Sequence, residues 1–258
     1  MMGRRATILA ALAVLGLYGA LLASLAWFLE PAALGALLTS RRVWFSLRLS
    51  LGAATLATAL ALLLALPAAY ALSRHRFRGQ GAVETVLEFP LIVSPAALGA
   101  ALLIFFANPL GAWLQENTIH VVFTLAGVVL AQFVTILGVA VRMLKVAFDE
   151  VPHELETVAR SLGAGPGHVF RTVTLPLARR GLVASLVLVW AKALGEFGAT
   201  LMVAGSMAMR TETLPIAIFM RLSTADIEGT VALILLLVCL GLGALYLARR
   251  LLRSPGHA

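Results

Sequence analysis

Six runs of about 20 residues are almost free of charge, at roughly 6–29, 49–72, 90–108, 119–141, 181–204 and 229–248. An α-helix needs about 20 apolar residues to cross the hydrocarbon core of a bilayer. Lipid offers the backbone no hydrogen bonds, so each crossing segment must satisfy its own as a helix. The fold class this predicts is all-α: a polytopic membrane protein with six transmembrane helices. Composition agrees, with 61% hydrophobic and 12% charged residues, against about 25% charged in an ordinary soluble domain. The third run is the weakest, because Pro90, Pro95 and Pro109 bound or interrupt it, and Pro95 is expected to kink it near one face. The first run follows Met-Met-Gly-Arg-Arg and is longer than a signal-peptide core, so it reads as an uncleaved first helix. Cys239 is the only cysteine, which excludes an intrachain disulfide and a cysteine metal cluster.

Lys and Arg orient the bundle. Fourteen of them fall on the side that holds both termini and the 142–180 segment, and five (Arg41, Arg42, Arg48, Arg210 and Arg221) fall on the other. The positive-inside rule puts the first set in the cytoplasm. This distribution, rather than nucleic-acid binding, accounts for the formal net charge of +8. Arg41 and Arg42 are expected to flank a short helix near the outer interface, anchored by Trp44 and Phe45. Arg210 and Arg221 on the outer face have two readings, as solubilising loop charge or as steering groups for an anion or its carrier. No segment outside the membrane is long enough for a substantial second domain, so residues 1–258 read as one membrane domain. His120, His153 and His168 lack metal-ligand spacing.

Residues 142–180 form a polar island between two spans. Within it Pro152 suits the first turn of a helix, and Leu155, Val158, Ala159 and Leu162 recur at spacings of three and four to make one apolar face. Glu156 and Arg160 are an i,i+4 pair. Gly163 is expected to stop the helix before a Gly-Ala-Gly-Pro-Gly turn. A second short helix opens at Pro166, and Pro176 is expected to break it before the fifth span. Two short helices around a glycine turn make a knob below the bilayer, suited either to coupling with a soluble partner or to packing against the chain's own helices.

The fifth run holds Lys192 and Glu196 four residues apart, hence on one helical face. Each alone in lipid is costly, so the pair is expected to face the bundle interior. There it acts as a structural bridge or lies beside a translocation pathway. Gly195 and Gly198 leave room for another helix or for bending.

The polar island resembles the cytoplasmic loop of ATP-binding-cassette importer permeases, in which Glu-Ala-Ala precedes a glycine, and Ile-x-Leu-Pro follows after nine residues. Gly163 matches the glycine, Ala159 the second alanine, Val173 the isoleucine position, and Leu175 and Pro176 the closing pair. Thr157 stands at the glutamate position and Val158 at the first alanine. Gly195-Glu-Phe-Gly-Ala-Thr200, continuing through Met202 to Gly205 and Thr213-Leu-Pro215, resembles the molybdate and tungstate permeases, with sulfate permeases close behind. The resemblance implies the type I importer transmembrane fold. It also implies that Glu154, Glu156, Thr157, Ala159, Arg160, Leu162, Gly163 and Ala164 couple to an ATPase, while Lys192, Gly195, Glu196, Gly198 and Thr200 lie near the pathway or gate. The implied assembly has two copies of the chain, two ATPase subunits and an extracytoplasmic molybdate- or tungstate-binding protein. It sits in the cytoplasmic membrane with both termini inside. The sequence has no phosphate-binding Gly-x-x-x-x-Gly-Lys-Ser/Thr loop, so ATP and Mg²⁺ belong to the partner subunits, and this chain is expected to perform no bond chemistry. A sulfate or other oxyanion importer keeps nearly all of these expectations. A self-sufficient secondary transporter explains the spans but leaves the polar island without a use.

Overall fold

The computed structural model describes residues 4–30, 35–37 and 39–252, and its regular elements are all helical. In chain order they are α1 (Arg4–Ala26), α2 (Arg41–Arg74), α3 (Gln80–Ile92), α4 (Pro95–Ala107), α5 (Pro109–Asn117), α6 (Leu125–Asp149), α7 (His153–Ser161), α8 (Pro166–Leu194), α9 (Gly198–Ala204), α10 (Leu214–Ser223) and α11 (Ile227–Leu252). Helices α1, α2, α6, α8 and α11 are long and apolar enough to cross a bilayer, and the bent pair α3–α4 makes a sixth span if it is counted as one. Arg253 and the rest of the C-terminal segment lie outside the described residues, as do residues 31–34 before α2.

The bundle is organised around α2. Ala54, Ala57, Ala61, Ala65 and Ala69 are fully buried, and their spacing of three to four residues draws one small-residue stripe along the helix. With only methyl groups between them, α6 can approach closely. Ile136, Ala140, Leu144 and Phe148 of α6 fill that seam, joined by Val189, Ala193 and Leu194 of α8. By contrast, α1 lies exposed along its length, clear of this core.

Local expectations are corrected at four places. The disruption expected at Pro95 is there, but as a break between two helices rather than a kink in one: α3 and α4 meet at a bend of 108°. Pro90 lies inside α3 rather than at an end, and Pro95 starts α4 behind the Ser94 cap, whose side chain accepts from Ala97 N. The fifth run breaks at Gly195–Phe197, between α8 and α9. Pro176 does not break its helix. A π-helical turn, Phe170–Thr174, precedes it, and Leu175 N–H reaches back to Phe170 O. Pro176, with no N–H to place, falls where the register changes from π to α. Finally, Arg41 and Arg42 begin the 34-residue α2 itself. At 1.5 Å per residue that helix is roughly 50 Å long, well beyond the hydrocarbon thickness.

Candidate functional site

At the base of the bundle, Arg74 ends α2 and Glu156 sits on α7. Their side chains are 2% and 3% exposed and meet at 2.8 Å, Arg74 Nε to Glu156 Oε1. Thr174 Oγ1, from the π turn of α8, donates to the same oxygen at 2.7 Å. Arg160 Nη2 approaches Oε2 at 3.5 Å, and Arg74 Nη2 donates to Val151 O at 3.0 Å. The Glu156 carboxylate therefore ties α2 and α8 to α7, and Arg74 adds the α6–α7 link through Val151 O. Burial works against its ionisation. The hydrogen bonds from Thr174 and Arg74 and the positive field of Arg74 and Arg160 outweigh that, and hold the Glu156 carboxyl below the usual carboxylate range. Beside the knot, Tyr70, Phe148 and Phe170 pack edge-to-face, Tyr70 lying 5.6 Å from Phe148 and 4.9 Å from Phe170 between ring centroids. The ring packing joins the spans α2, α6 and α8, and the charge knot joins α2 and α8 to α7.

Tying Glu156 inward turns α7 inside out. Glu156 is its only buried residue, whereas Leu155, Val158 and Leu162 are exposed, Leu162 at 83%. The apolar face expected from the 3–4 spacing exists, with Ala159 half-buried on it, and it points away from the chain's own helices. Gly163 ends the helix at φ +88°, a conformation that L side chains avoid. Around it Gly163 N donates to Arg160 O and Ala164 N to Ala159 O. Glu154 and Thr157 are exposed, and Val173, Leu175 and Pro176 sit half-buried to exposed at the π–α junction. The Glu156–Arg160 pair forms, but as the outer part of the buried knot rather than as a solvated surface pair.

The expected Lys192–Glu196 bridge does not form. Because α8 ends at Leu194 and Gly195 caps it, Glu196 is not one helical turn beyond Lys192. Glu196 is buried and its Oε1 accepts from Ala199 N at 2.9 Å, closing the first turn of α9. Lys192 remains exposed on the last turn of α8, with no ion pair to Glu196 or to any other described carboxylate. Gly198 does allow a close approach, since a Cβ there would lie 2.9 Å from Ala96 N. Gly195 faces no such neighbour. Thr200 is fully buried.

On the opposite end, Arg42 Nε and Nη2 bind both oxygens of the buried Glu212 at 2.7 and 2.6 Å. Arg221 Nη1 meets Asp226 Oδ2 at 2.7 Å, and Asp226 Oδ1 accepts from Gly229 N. These two pairs border a cavity of about 420 Å³ that Ser46 also lines. Arg221 is thus committed to a carboxylate, while Arg210 lines a separate cavity of about 510 Å³ with His120 and Phe123. Among the described residues no cluster of His, Cys, Asp or Glu is arranged to hold a metal ion.

Sequence reasoning missed Arg74, Thr174 and Glu212. Arg74 and Glu212 lie 82 and 170 residues from their partners, and no local spacing reveals such pairs.

Residues 61–254 match the family described as binding-protein-dependent transport system inner membrane component. A probable molybdenum ABC transporter permease protein of Haloferax volcanii is 37% identical over 226 residues, covering 88% of this chain and 82% of that protein. The molybdenum transport system permease protein of Mycobacterium tuberculosis is 40% identical over 217 residues, covering 81% and 82%. Among solved structures, a chain of the bacterial alginate ABC transporter in complex with its alginate-pentasaccharide-bound periplasmic protein superposes with a TM-score of 0.74, over 97% of both chains at 15% identity.

Proposed function

This chain belongs to the binding-protein-dependent transport system inner membrane components, the permease subunits of ABC importers, and we propose that it carries molybdate or tungstate inward across the cytoplasmic membrane. Substrate class rests on the relatives, which are molybdenum permeases along most of their length and most of this one. The observation that supports the coupling role is the inverted helix α7: its carboxylate is buried in a knot with the spans α2 and α8, and its leucines are offered outward.

In this reading the whole chain is one permease domain, and two copies enclose the pathway. The exposed face of Leu155, Val158 and Leu162 seats in a groove of an ATPase subunit, which holds the ATP and Mg²⁺. When the paired ATPases close, α7 moves with them. The Arg74–Glu156–Thr174 knot passes that displacement to α2 and α8, because neither α7 nor α2 can shift alone without stranding a buried charge, and the Tyr70–Phe148–Phe170 packing carries α6 with them. The bundle then opens outward to an extracytoplasmic binding protein. Lys192, an unpaired cation on a spanning helix, is too costly to face lipid, so it faces the pathway or the second copy, where it attracts a dianion.

The test is ATPase activity of the complex purified through a tag on this chain, with its binding protein loaded in turn with molybdate, tungstate or sulfate. Stimulation by the first two alone supports this assignment. Stimulation by sulfate moves the chain to the neighbouring substrate, and a permease that isolates without any ATPase overturns the coupling role.

A further inference from the structure

Among the described residues, the side chains of Ser46, Thr58, Gln132, Thr200 and Thr213 are buried with polar atoms that have no hydrogen-bond partner, and for Gln132 both amide atoms are orphaned. Two of the five, Gln132 and Thr200, fall at one level of the α6–α9 contact. Ala53 of α2, Val128 of α6 and Ala204 of α9 pack together, and Ala131 packs against Ala199 in the adjoining contact. Helices α2 and α6 run in the same direction, since Ala53 meets Val128 near one end and Tyr70 meets Phe148 near the other. The α6–α9 contacts pair Val128 with Ala204 and Ala131 with Ala199, so α9 runs against both. Gln132 is therefore one turn from Val128 toward the α7 platform, and Thr200 one turn from Ala204 in the same sense, whereas Thr58 lines a cavity on another side of α2 with Val183, Trp190 and Leu247. An amide and a hydroxyl thus share one layer of the bundle with nothing in the chain to bind.

Burying polar groups without partners is destabilising, whereas a leucine of similar size at Gln132 carries no such penalty. The layer therefore has a use in some other state of the bundle. The neighbouring helices suggest how it opens. Helix α9 is separated from α8 by the break at Gly195–Phe197 and is clamped to α4: a Cβ at Gly99 would lie 2.8 Å from Ala199 Cα and Met202 Cβ, and one at Gly198 2.9 Å from Ala96 N. With glycines at these contacts α4 and α9 pack as one unit, and the seam holding the orphaned groups is the one between that pair and α6.

We propose that Gln132 and Thr200 form an anion-relay site midway through the bundle, exposed when the α4–α9 pair parts from α6. This rests on the oxyanion-importer reading. The amide N–H groups and the hydroxyl are neutral donors, suited to the oxygens of a tetrahedral dianion. A relay site must bind strongly enough to admit the ion and weakly enough to release it. Neutral donors meet that requirement better than a buried arginine, and between transport events they fold away without an unpaired charge.

The experiment uses the full complex with its ATPase and binding protein, reconstituted in liposomes, and compares Gln132→Leu and Thr200→Val with the unsubstituted permease. Each preparation is measured for molybdate uptake, binding-protein-stimulated ATPase activity and melting temperature. Gln132→Leu is expected to melt at or above the parent temperature and to keep stimulated ATPase activity, while uptake falls at least tenfold. Thr200→Val is expected to show the same split with a smaller loss. Unchanged uptake in both variants overturns the site. A lowered melting temperature with ATPase and uptake falling in parallel also overturns it, because the amide then has a structural role. If the unsubstituted complex takes up neither molybdate nor tungstate, the substrate reading fails first and the relay site fails with it, an outcome distinct from any seen in the variants.

Discussion

Removing the Glu156 carboxylate leaves the Arg74 guanidinium buried at 2% exposure with no counter-ion. Losing one partner of a buried pair costs about 3–5 kcal/mol, so Glu156→Ala is expected to lower the melting temperature of the permease and to release the ATPase during purification. Glu156→Gln keeps the shape and an acceptor for Thr174, and is expected to lose less. Retention of full stability and coupling in the alanine variant would mean that the knot is not what joins α7 to the spans. The same group sets a pH dependence. Its folded-state carboxyl is held below the ordinary range, so its contribution is complete above the unfolded value of about 4.3 and is lost as pH falls through the lower folded value. Association with the ATPase is therefore expected to be flat from neutral pH to about 5 and to weaken only below about 4. Titration of the association near neutrality would place its control elsewhere. Lys192 gives a third contrast. As an exposed, unpaired cation on α8, it is expected to tolerate Lys192→Arg, whereas Lys192→Gln lowers oxyanion uptake several-fold without loss of fold. Equal uptake in both would remove it from the pathway.

A helix with its charge inside and its leucines outside is unstable as design unless something covers the leucines, and α7 states that requirement plainly. Leu155, Val158 and Leu162 are exposed on the surface of the chain, so replacing all three by serine is expected to leave the melting temperature of the isolated permease nearly unchanged. The same change is expected to abolish co-purification of the ATPase. Destabilisation of the permease alone would show instead that this face packs within it. How much of α7 was legible in the sequence follows from which forces are local. Its apolar spacing, its stop at Gly163 and its separation from the spans were readable, because they depend on neighbours three or four residues away. Its orientation was not. The 3–4 pattern says that leucines share a face but not whether that face turns toward the bundle, and Arg74, which decides the matter, lies 82 residues back. Lys192 and Glu196 failed in the opposite way. Their spacing assumed a continuous helix, and the break at Gly195 removed the geometry on which the pairing depended. The bend between α3 and α4 was half legible, since Pro95 was seen as a disruption, although a proline that starts a new helix behind a serine cap bends the chain far more than one that kinks an old one.

For the molecule as a whole, the spans were legible because lipid leaves a crossing segment so few options, and the number of long apolar helices comes out near the number of uncharged runs. What composition cannot supply is which end of the bundle faces which compartment. Charge bias argues that the Arg74–Glu156 platform is cytoplasmic and that the Arg42–Glu212 end is outside. The two ends are chemically distinct enough to test this directly. Cys239 is the sole cysteine, so replacing it by alanine gives a background in which one new thiol reports one location. Gly163 and Arg210 are both exposed, at opposite ends of the bundle. In that background Arg210→Cys is expected to react with a membrane-impermeant maleimide in intact cells whose outer surface is open to the reagent. Gly163→Cys is expected to react only after the membrane is permeabilised or in inverted vesicles. Because φ at Gly163 is +88°, Ala164→Cys in the same turn guards against a local distortion being read as topology. The reverse labelling pattern would place the exposed leucines of α7 outside the cell, where no ATPase reaches them, and would turn the coupling platform into a surface for the extracytoplasmic partner instead.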